Sequence, residues 1–319
     1  MKNKLLVYLL LLIVVAGLSS CRKDTVTEPT PKNYSVGKNR FTVKVDADDR
    51  EYFVHVPAGY TGATPTPVVF MLHGTNGNGE DFYNDSGWRQ VGDTENIITV
   101  FPSSWKYCIV EDGKQKPNTE KWNAQPAGWT PCAGETVRDD IKFFKSILTE
   151  LKSKFTIDNK RVYMVGFSNG GSMACKCSYE MSDVFAAIVQ SASQLYGKQP
   201  TPLRKLPILL QRGNQDYGPG GSGPTAPMSS LPFLLTDSST NLLQGHLYKF
   251  SQTNIHNFGL NPNFTISGDT NSIVMASYTS ATPDPLNLYT VVLIKGLRHA
   301  YPDGAARTNW EWLKQYTLP

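Results

Sequence analysis

The chain has 319 residues, of which 40% are hydrophobic, and a formal net charge of +4. Residues 1–40 carry seven Lys or Arg and two Asp or Glu, which leaves 24 basic and 25 acidic side chains in the rest of the chain. A nucleic-acid partner needs a clustered basic face, so the nearly neutral body argues against that class of protein. The length and the apolar content favour one large α/β core.

The N-terminus has the pattern of an export signal. Lys2 and Lys4 precede an apolar run at residues 5–18, which is too short and wrongly flanked for a stable membrane span. The run ends in Leu-Ser-Ser-Cys, with the cysteine at Cys21, and this sequence resembles a bacterial lipobox. The resemblance implies that residues 1–20 are a signal peptide and that Cys21 is the lipid-modified first residue of the mature protein. A plain secretory signal with an incidental cysteine is the alternative.

Both alternatives predict an exported protein, and the lipobox implies a membrane-anchored lipoprotein, periplasmic or at the cell surface. Residues 21–38 are polar and rich in Thr, Pro, Lys and Asn, a composition typical of a flexible tether. Residues 39–319 are predicted to form a single domain. We expect a monomer that contacts the membrane only through its lipid.

Four cysteines remain besides Cys21, in a compartment that permits disulfides. Cys175 and Cys177 lie two apart on a predicted helix and point to different faces, so they cannot readily bridge each other. A bridge from Cys108 to Cys132, which would close a long insertion, is our first choice, and a distant partner for Cys175 or Cys177 stays open. No zinc site is expected, because the chain lacks a CxxC or HxxxH pattern.

Alternating apolar residues predict two strands at residues 41–45 and 52–56, joined by an acidic turn. His55, on the second strand, is far from any motif and is expected to be structural. A continuous apolar run at residues 67–72 then leads into the glycine-rich loop HGTNGNG at residues 73–79. Glycines let main-chain N–H groups approach a reacting oxygen closely, so this loop predicts an oxyanion hole with Thr75 as one donor and Gly74 as second choice. A dinucleotide loop is disfavoured because the GxGxxG spacing is absent.

Residues 81–95 carry helix signals, residues 97–101 form the next predicted strand, and residues 103–134 form an insertion without clear periodicity. The insertion contains four large aromatic residues, which either wall a pocket for a planar or sugar-linked substrate or only fix a long loop to the surface: Trp105, Tyr107, Trp122 and Trp129. Trp129 is the candidate substrate contact. The helix predicted at residues 135–155 has Asp139 and Asp140 in its first turn, where carboxylates suit the helix dipole and a solvated face.

Residues 161–171, RVYMVGFSNGG, have the pattern of a nucleophile elbow. A Cβ at Gly166 or Gly170 would collide with the neighbouring chain in so sharp a turn, while Ser168 is held in a strained conformation that exposes its hydroxyl. The main-chain N–H of Asn169 is then the second oxyanion donor. An ordinary glycine turn with a surface serine is the alternative. A helix at residues 172–180 and a buried strand at residues 184–190 are predicted to follow.

The second strand after the elbow, residues 206–210, leads to Asp216. A loop at this position passes behind the histidine of a serine triad, so Asp216 is the predicted triad acid. Asp237, Asp269 and Asp284 compete less well, because no buried strand precedes them. Residues 217–240 are predicted to be a surface or lid loop.

Residues 241–260 are predicted to be a helix, in which His246 and His256 are solvated or capping. The last predicted strands, residues 272–278 and 289–294, lead to a loop that holds His299 between a glycine and a proline, as suits a general base. Tyr301, in the same loop, is a candidate substrate contact, and a closing helix is predicted at residues 305–316.

The chain order Ser168, Asp216, His299 is that of the α/β-hydrolase fold. We therefore predict a mostly parallel central sheet flanked by helices on both faces. A serine triad needs neither a metal nor an organic cofactor, and none is expected.

The motifs HGTNGNG, GFSNGG, RGNQD and GLRHAYP resemble those of the secreted polyhydroxybutyrate depolymerase and feruloyl esterase family, over a stretch from about Tyr52 to the C-terminus. The resemblance implies the triad Ser168, Asp216 and His299. No polymer-adsorbing module is recognised, which favours feruloyl or acetyl esters of plant polysaccharides as substrates. A short-polyester depolymerase, a peptidase and a lipid-anchored binding protein with a vestigial triad are the alternatives.

Overall fold

The structure, a computed structural model, describes residues 34–125, 128–193, 197–239, 242–243 and 247–319, all of which lie in one compact unit, Asn33–Pro319. Cys21, the predicted signal peptide, most of the predicted tether and His246 lie outside the described residues. Over the described ranges, no helix combines the length and the apolar character needed to cross a bilayer.

Thirteen strands are present in the described part of the chain. They are β1 (Gly37–Val45), β2 (Asp48–Val56), β3 (Thr66–Leu72), β4 (Ile98–Pro102), β5 (Trp105–Glu111), β6 (Lys114–Lys121), β7 (Trp129–Pro131), β8 (Ile157–Phe167), β9 (Ala187–Ser191), β10 (Ile208–Gly213), β11 (Leu260–Asp269), β12 (Ile273–Ser280) and β13 (Leu288–Ile294). Ten of them form one sheet in the order β1-β2-β4-β3-β8-β9-β10-β13-β12-β11. The six from β4 to β13 in this order are parallel, and antiparallel hairpins extend both edges.

The central strands are continuous apolar runs because both faces of the sheet are covered. Every residue of β3, β4, β9 and β10 is buried. The helices are α1 (Gly79–Asp85), α2 (Trp88–Glu95), α3 (Asp140–Lys154), α4 (Asn169–Glu180), α5 (Leu231–Thr236), α6 (Leu247–Phe258) and α7 (Ala305–Leu313). One core holds side chains of α3, α4 and α6, and a second holds those of α1, α2 and α7. The predicted arrangement of helices on both faces is therefore confirmed.

Several predicted elements differ from the structure. The helix predicted at residues 81–95 is two helices, because Gly87 adopts a left-handed conformation (φ 80°) between α1 and α2. The loop predicted at residues 217–240 contains α5, and within the helix predicted at residues 241–260 the described residues form α6, Leu247–Phe258. The edge strand β11 was not predicted, since most of its side chains are exposed and lack an apolar alternation.

The lack of periodicity at residues 103–134 had indicated an irregular insertion. The insertion instead contains a second sheet in the order β6-β5-β7. Strand β6, KQKPNTEK, is polar on both faces, so it carries no period-2 signal. Tyr107, Ile109 and Trp129 form its small core. The predicted disulfide between Cys108 and Cys132 is present, and the remaining two described cysteines are free and buried.

Two carboxylates predicted together at the start of a helix have different environments. Asp139 caps α3 by accepting the Lys142 N–H at 2.9 Å, which suits the predicted first-turn position. Asp140 was expected on a solvated face but is fully buried, with Arg50 Nη2 2.7 Å from its Oδ1. The buried arginine explains the difference, because a buried carboxylate needs a charged or hydrogen-bonding partner. His55 is buried between the Tyr83 hydroxyl (3.0 Å) and Asp93 (2.8 Å).

Candidate active site

Ser168 lies at the sharp turn between β8 and α4. Its backbone is strained, with φ 54° and ψ −119°, a conformation that an L-residue adopts only when its surroundings enforce it. A Cβ on Gly166 would lie 2.1 Å from the carbonyl oxygen of Gly170, and one on Gly170 would lie 2.3 Å from that of His73. The two glycines therefore permit the close chain contacts that hold the serine, as the motif predicts.

The structure brings Ser168, His299 and Asp216 into one hydrogen-bonded chain. Ser168 Oγ is 2.9 Å from His299 Nε2, and His299 Nδ1 is 2.8 Å from Asp216 Oδ1. The three residues follow β8, β13 and β10, and the carboxyl ends of these parallel strands meet at one edge of the sheet. Asp237, Asp269 and Asp284 do not line the cleft around Ser168.

Asp216 is completely buried. Burial alone would raise the pKa of its carboxyl, but the hydrogen bond from His299, the nearby guanidinium of Arg212 and the N–H of Gly218 together lower the pKa below its usual value. Arg212 Nη1 is 3.4 Å from Asp216 Oδ2, and the Gly218 N–H donates to Oδ1 at 3.0 Å. The carboxylate is therefore ionised and oriented toward the imidazole. Sequence reasoning did not single out Arg212, although its position four residues before Asp216 was a visible signal.

The loop after β3 approaches the serine closely. A Cβ on Gly74 would lie 3.2 Å from the Cβ of Ser168, and Thr75 and Asn169 border the same cleft. Asn169 is the first residue of α4, where a helix has no internal acceptor for the main-chain N–H. Within the described ranges, the main-chain N–H of Thr75 donates no hydrogen bond. Both predicted oxyanion donors are thus available beside Ser168.

His73 supports this loop as a neutral imidazole. Its Nδ1 donates to the Gly74 carbonyl at 2.6 Å, and its Nε2 accepts the Ser104 N–H at 3.0 Å. Burial lowers the pKa of His73 to about 4, against the opposing effect of the hydrogen bond to Gly74. The imidazole therefore stays neutral at physiological pH and fixes the main chain next to Thr75.

The cleft has a volume of about 1100 Å³ and two different sides. We call the side with Ser168, His299 and Thr75 the triad wall. The insertion wall consists of Trp129 and of residues 111–121 in β5, β6 and their turn. Its polar side chains bordering the cleft are Glu111, Asp112, Gln115, Lys116, Asn118, Thr119, Glu120 and Lys121. The triad wall thus faces a hydrophilic surface across the cleft.

The aromatic residues of the insertion are mainly packing residues, Trp122 in the main core of the domain and Trp129 in the small core of the insertion. Trp122 is fully buried, and Trp129 is 3% exposed and packs on Tyr107 with ring centroids 5.6 Å apart. Of the two interpretations of these residues, the structure therefore favours anchoring, although Trp129 also borders the cleft.

Tyr301, predicted as a substrate contact, lies outside the cleft. Its ring packs behind Phe167, with centroids 6.2 Å apart, and its hydroxyl accepts the indole N–H of Trp88 at 3.0 Å. It borders a separate groove of about 530 Å³ together with Phe82 and Phe167. Proximity to His299 in the sequence could not reveal that the loop turns this side chain away. Among the described residues, no group of three or more His, Cys, Asp or Glu side chains is arranged to hold a metal ion.

Several curated relatives match the chain in sequence, among them two esterases of different kinds. Feruloyl esterase B of Piromyces equi is 26% identical over 284 residues, which cover 85% of this chain and 46% of the relative. Poly(3-hydroxyalkanoate) depolymerase C of Paucimonas lemoignei is 28% identical over 146 residues, which cover 46% of this chain and 32% of the relative. The chain thus spans less than half the length of either curated relative.

The fold is also that of solved esterase structures. Acetyl xylan esterase from Aspergillus awamori superposes with a TM-score of 0.56 at 13% identity, covering 86% of this chain and 99% of that structure. The predicted α/β-hydrolase fold is therefore confirmed, as is the resemblance to the depolymerase and feruloyl esterase group. The family model described as "Putative esterase" matches residues 47–218, more than half of the chain, and the protein accordingly belongs to the Esterase family.

Proposed function

We propose that the protein is a serine carboxylic ester hydrolase that works through an acyl-enzyme. The observation that carries this proposal is the hydrogen-bonded chain from Ser168 Oγ to His299 (2.9 Å) and on to Asp216 (2.8 Å), in a cleft that also holds two main-chain N–H donors. A nucleophile, a base that reaches it and a group that orients the base are the parts that acyl transfer requires.

In the proposed first step, Ser168 Oγ attacks the ester carbonyl carbon while His299 Nε2 accepts the hydroxyl proton. The carbonyl oxygen becomes negatively charged and is stabilised by the N–H groups of Thr75 and Asn169, an interaction whose loss costs about 10²–10³ in kcat per donor. The imidazolium then protonates the leaving alcohol, the carbon–oxygen bond of the ester breaks, and the acyl group remains on Ser168.

Hydrolysis of the acyl-enzyme repeats these steps with water. His299 removes a proton from the water, the resulting hydroxide attacks the acyl carbon, and the imidazolium returns a proton to Ser168 as the carboxylic acid leaves. Asp216 stays ionised throughout, keeps the Nδ1 proton of His299 in place and stabilises the imidazolium cation. Its lowered pKa supports this role.

Feruloyl or acetyl esters of plant polysaccharides are the substrates that we propose. A hydroxyl-rich alcohol would meet the donors and acceptors of the insertion wall, such as Gln115, Asn118 and Thr119. The names of the similar proteins, a feruloyl esterase and an acetyl xylan esterase, support the same class. Similarity to a poly(3-hydroxyalkanoate) depolymerase makes short polyesters the second candidate.

We also propose that the protein is exported and anchored through a lipid on Cys21, and that it is a monomer. The N-terminal pattern supports the first two points. A tether of the predicted composition would let the domain reach a substrate away from the membrane.

The purified protein should hydrolyse p-nitrophenyl acetate, and Ser168→Ala should reduce kcat by on the order of 10⁴-fold or more. Ser146→Ala, on α3, is the matched control and should leave kcat unchanged. A Ser168→Ala rate equal to that of the parent would remove the serine from the mechanism. Methyl ferulate, acetylated xylan, hydroxybutyrate oligomers and a dipeptide anilide, compared by kcat/KM, separate the substrate classes.

A further inference from the structure

Residues 120–123, the end of β6 and the two residues after it, contact both arms of the candidate oxyanion hole. We call this stretch the Trp122 segment. The indole Nε1 of Trp122 donates to the carbonyl oxygen of His73 at 2.9 Å, and the carbonyl oxygen of Glu120 accepts the N–H of Asn76 at 2.9 Å. The main chain is therefore held on each side of the Gly74-Thr75 pair, which carries the first oxyanion donor.

The same segment holds the second donor residue. The main-chain N–H of Trp122 donates to Asn169 Oδ1 at 2.7 Å, and Asn169 Nδ2 lies 3.4 Å from the Trp122 carbonyl oxygen. The Asn169 side chain thus pairs with both main-chain groups of a single residue. Because Asn169 is the first residue of α4, its main-chain N–H has no acceptor within the helix, and the side-chain pairing holds the residue that carries this donor.

The Trp122 segment is itself anchored from three elements. The Asn123 N–H donates to Asp140 Oδ2 at 2.6 Å, and Asp140 is paired with Arg50 on β2 at 2.7 Å. The carbonyl oxygen of Asn123 accepts from Lys176 Nζ on α4 at 3.2 Å. Trp122 is completely buried, and its ring lies 5.0 Å from that of His73. The segment is therefore a rigid support rather than a surface loop.

We infer that Trp122 is a positioning residue that sets the distance between the two oxyanion donors, one on the loop after β3 and one on α4. The inference rests on the proposed function, since an oxyanion forms only in acyl transfer. The negative oxygen exists in the transition state and not in the bound ester, so a disturbed hole lowers kcat without weakening substrate binding. A displacement of about 1 Å can cost about 10² in rate.

Trp122→Phe tests this role because it keeps a buried ring but removes the indole N–H. We expect kcat for p-nitrophenyl acetate to fall by about 10- to 100-fold with KM changed by less than about twofold. Affinity for benzeneboronic acid, which forms a tetrahedral adduct with the serine, should fall by a similar factor. Trp310→Phe is the matched control, because its indole N–H is bound to Glu95 on the opposite face of the sheet at 2.8 Å and its loss should leave both readouts unchanged.

A second replacement covers the case in which Trp122→Phe does not fold. Exchange of the Trp122 indole for benzothiophene, by incorporation of the unnatural amino acid, keeps the shape and removes only the N–H, so it should give the same loss of kcat. In addition, Asn169→Ala combined with Trp122→Phe should lose less than the product of the two single effects, because both act through one support.

Unchanged kcat in the folded benzothiophene variant, or a loss of activity carried by KM with unchanged boronic acid affinity, would overturn the inference. Failure of the proposed function gives a different result, since the parent protein would then not hydrolyse the ester at all.

Discussion

The two walls of the cleft differ in how they are built and in how the sequence encodes them. The triad wall consists of loops at the carboxyl ends of parallel strands, so the sheet itself brings Ser168, Asp216 and His299 together. The insertion wall stands on a separate three-stranded sheet with its own small aromatic core and a disulfide between Cys108 and Cys132.

Because the two walls are built separately, the triad residues and the side chains of the insertion wall can be altered independently. On the triad wall, a shift of one loop would break the hydrogen-bonded chain that moves the proton in the proposed reaction. On the insertion wall, most side chains bordering the cleft can change without touching that chain, and the inferred link to the reaction runs through the hydrogen bonds of Trp122 to Asn169 and His73. Substitutions on the triad wall should therefore reduce kcat strongly, whereas changes in the insertion should act on stability and on substrate choice.

The largest effect that we predict from this comparison is that of Asp216→Asn. The amide cannot hold the Nδ1–H tautomer of His299, so kcat for p-nitrophenyl acetate should fall by on the order of 10⁴-fold. Asp237→Asn is the control, because this half-buried aspartate does not border the cleft, and it should retain the parental rate. A near-parental rate in Asp216→Asn would transfer the role to another carboxylate.

A smaller effect, on the free energy of unfolding rather than on kcat, is expected from protonation of His73. Its pKa in the folded protein, about 4, lies below the unfolded value of 6.5, so the unfolded state binds the proton first as the pH falls. The folded state should thus lose about 3 kcal/mol of stability between pH 6.5 and pH 4, with full stability above this window. Urea unfolding at several pH values measures the slope.

In His73→Asn, that part of the pH dependence should disappear, whereas the exposed His256→Asn should keep it. An unchanged slope in His73→Asn would show that the imidazole is not buried in its neutral form.

The smallest effect on catalysis is expected from loss of the disulfide in Cys108→Ser combined with Cys132→Ser. The disulfide joins cysteines 24 positions apart in the sequence, and the aromatic core of the insertion stays in place without it. We therefore expect a loss of about 2 kcal/mol in the free energy of unfolding. Because the Trp122 segment keeps its own anchors, kcat for p-nitrophenyl acetate should stay within about threefold, an effect below 1 kcal/mol. A loss as large as that of Asp216→Asn would contradict the separation of the two walls.

How far each wall could be predicted depends on how distant its interacting residues are in the sequence. The triad wall was predictable because buried parallel strands have a local apolar signal and the triad residues follow them directly, as Ser168 follows β8. The conformational demands of Gly166 and Gly170 were also local, and the structure confirms both contacts.

The insertion was not predictable, since its strand β6 is polar throughout and its position depends on contacts with distant parts of the chain. The Asn169 side chain bonds to a residue 47 positions away, and Arg50 reaches Asp140 across 90 positions. For the same reason the sequence placed Asp140 on a solvated face and did not reveal that Tyr301 packs on Phe167. Neither a buried partner nor the direction of a loop side chain has a signal in the adjacent sequence.

The most direct test of the proposed reaction is covalent labelling with a fluorophosphonate probe, followed by mass spectrometry of the digested protein. The proposal predicts one modified site, Ser168, with labelling slowed strongly in Asp216→Asn and abolished in Ser168→Ala, because the probe reacts only with an activated serine. A folded parent protein that is not labelled, or one that is labelled at another residue, would contradict the account.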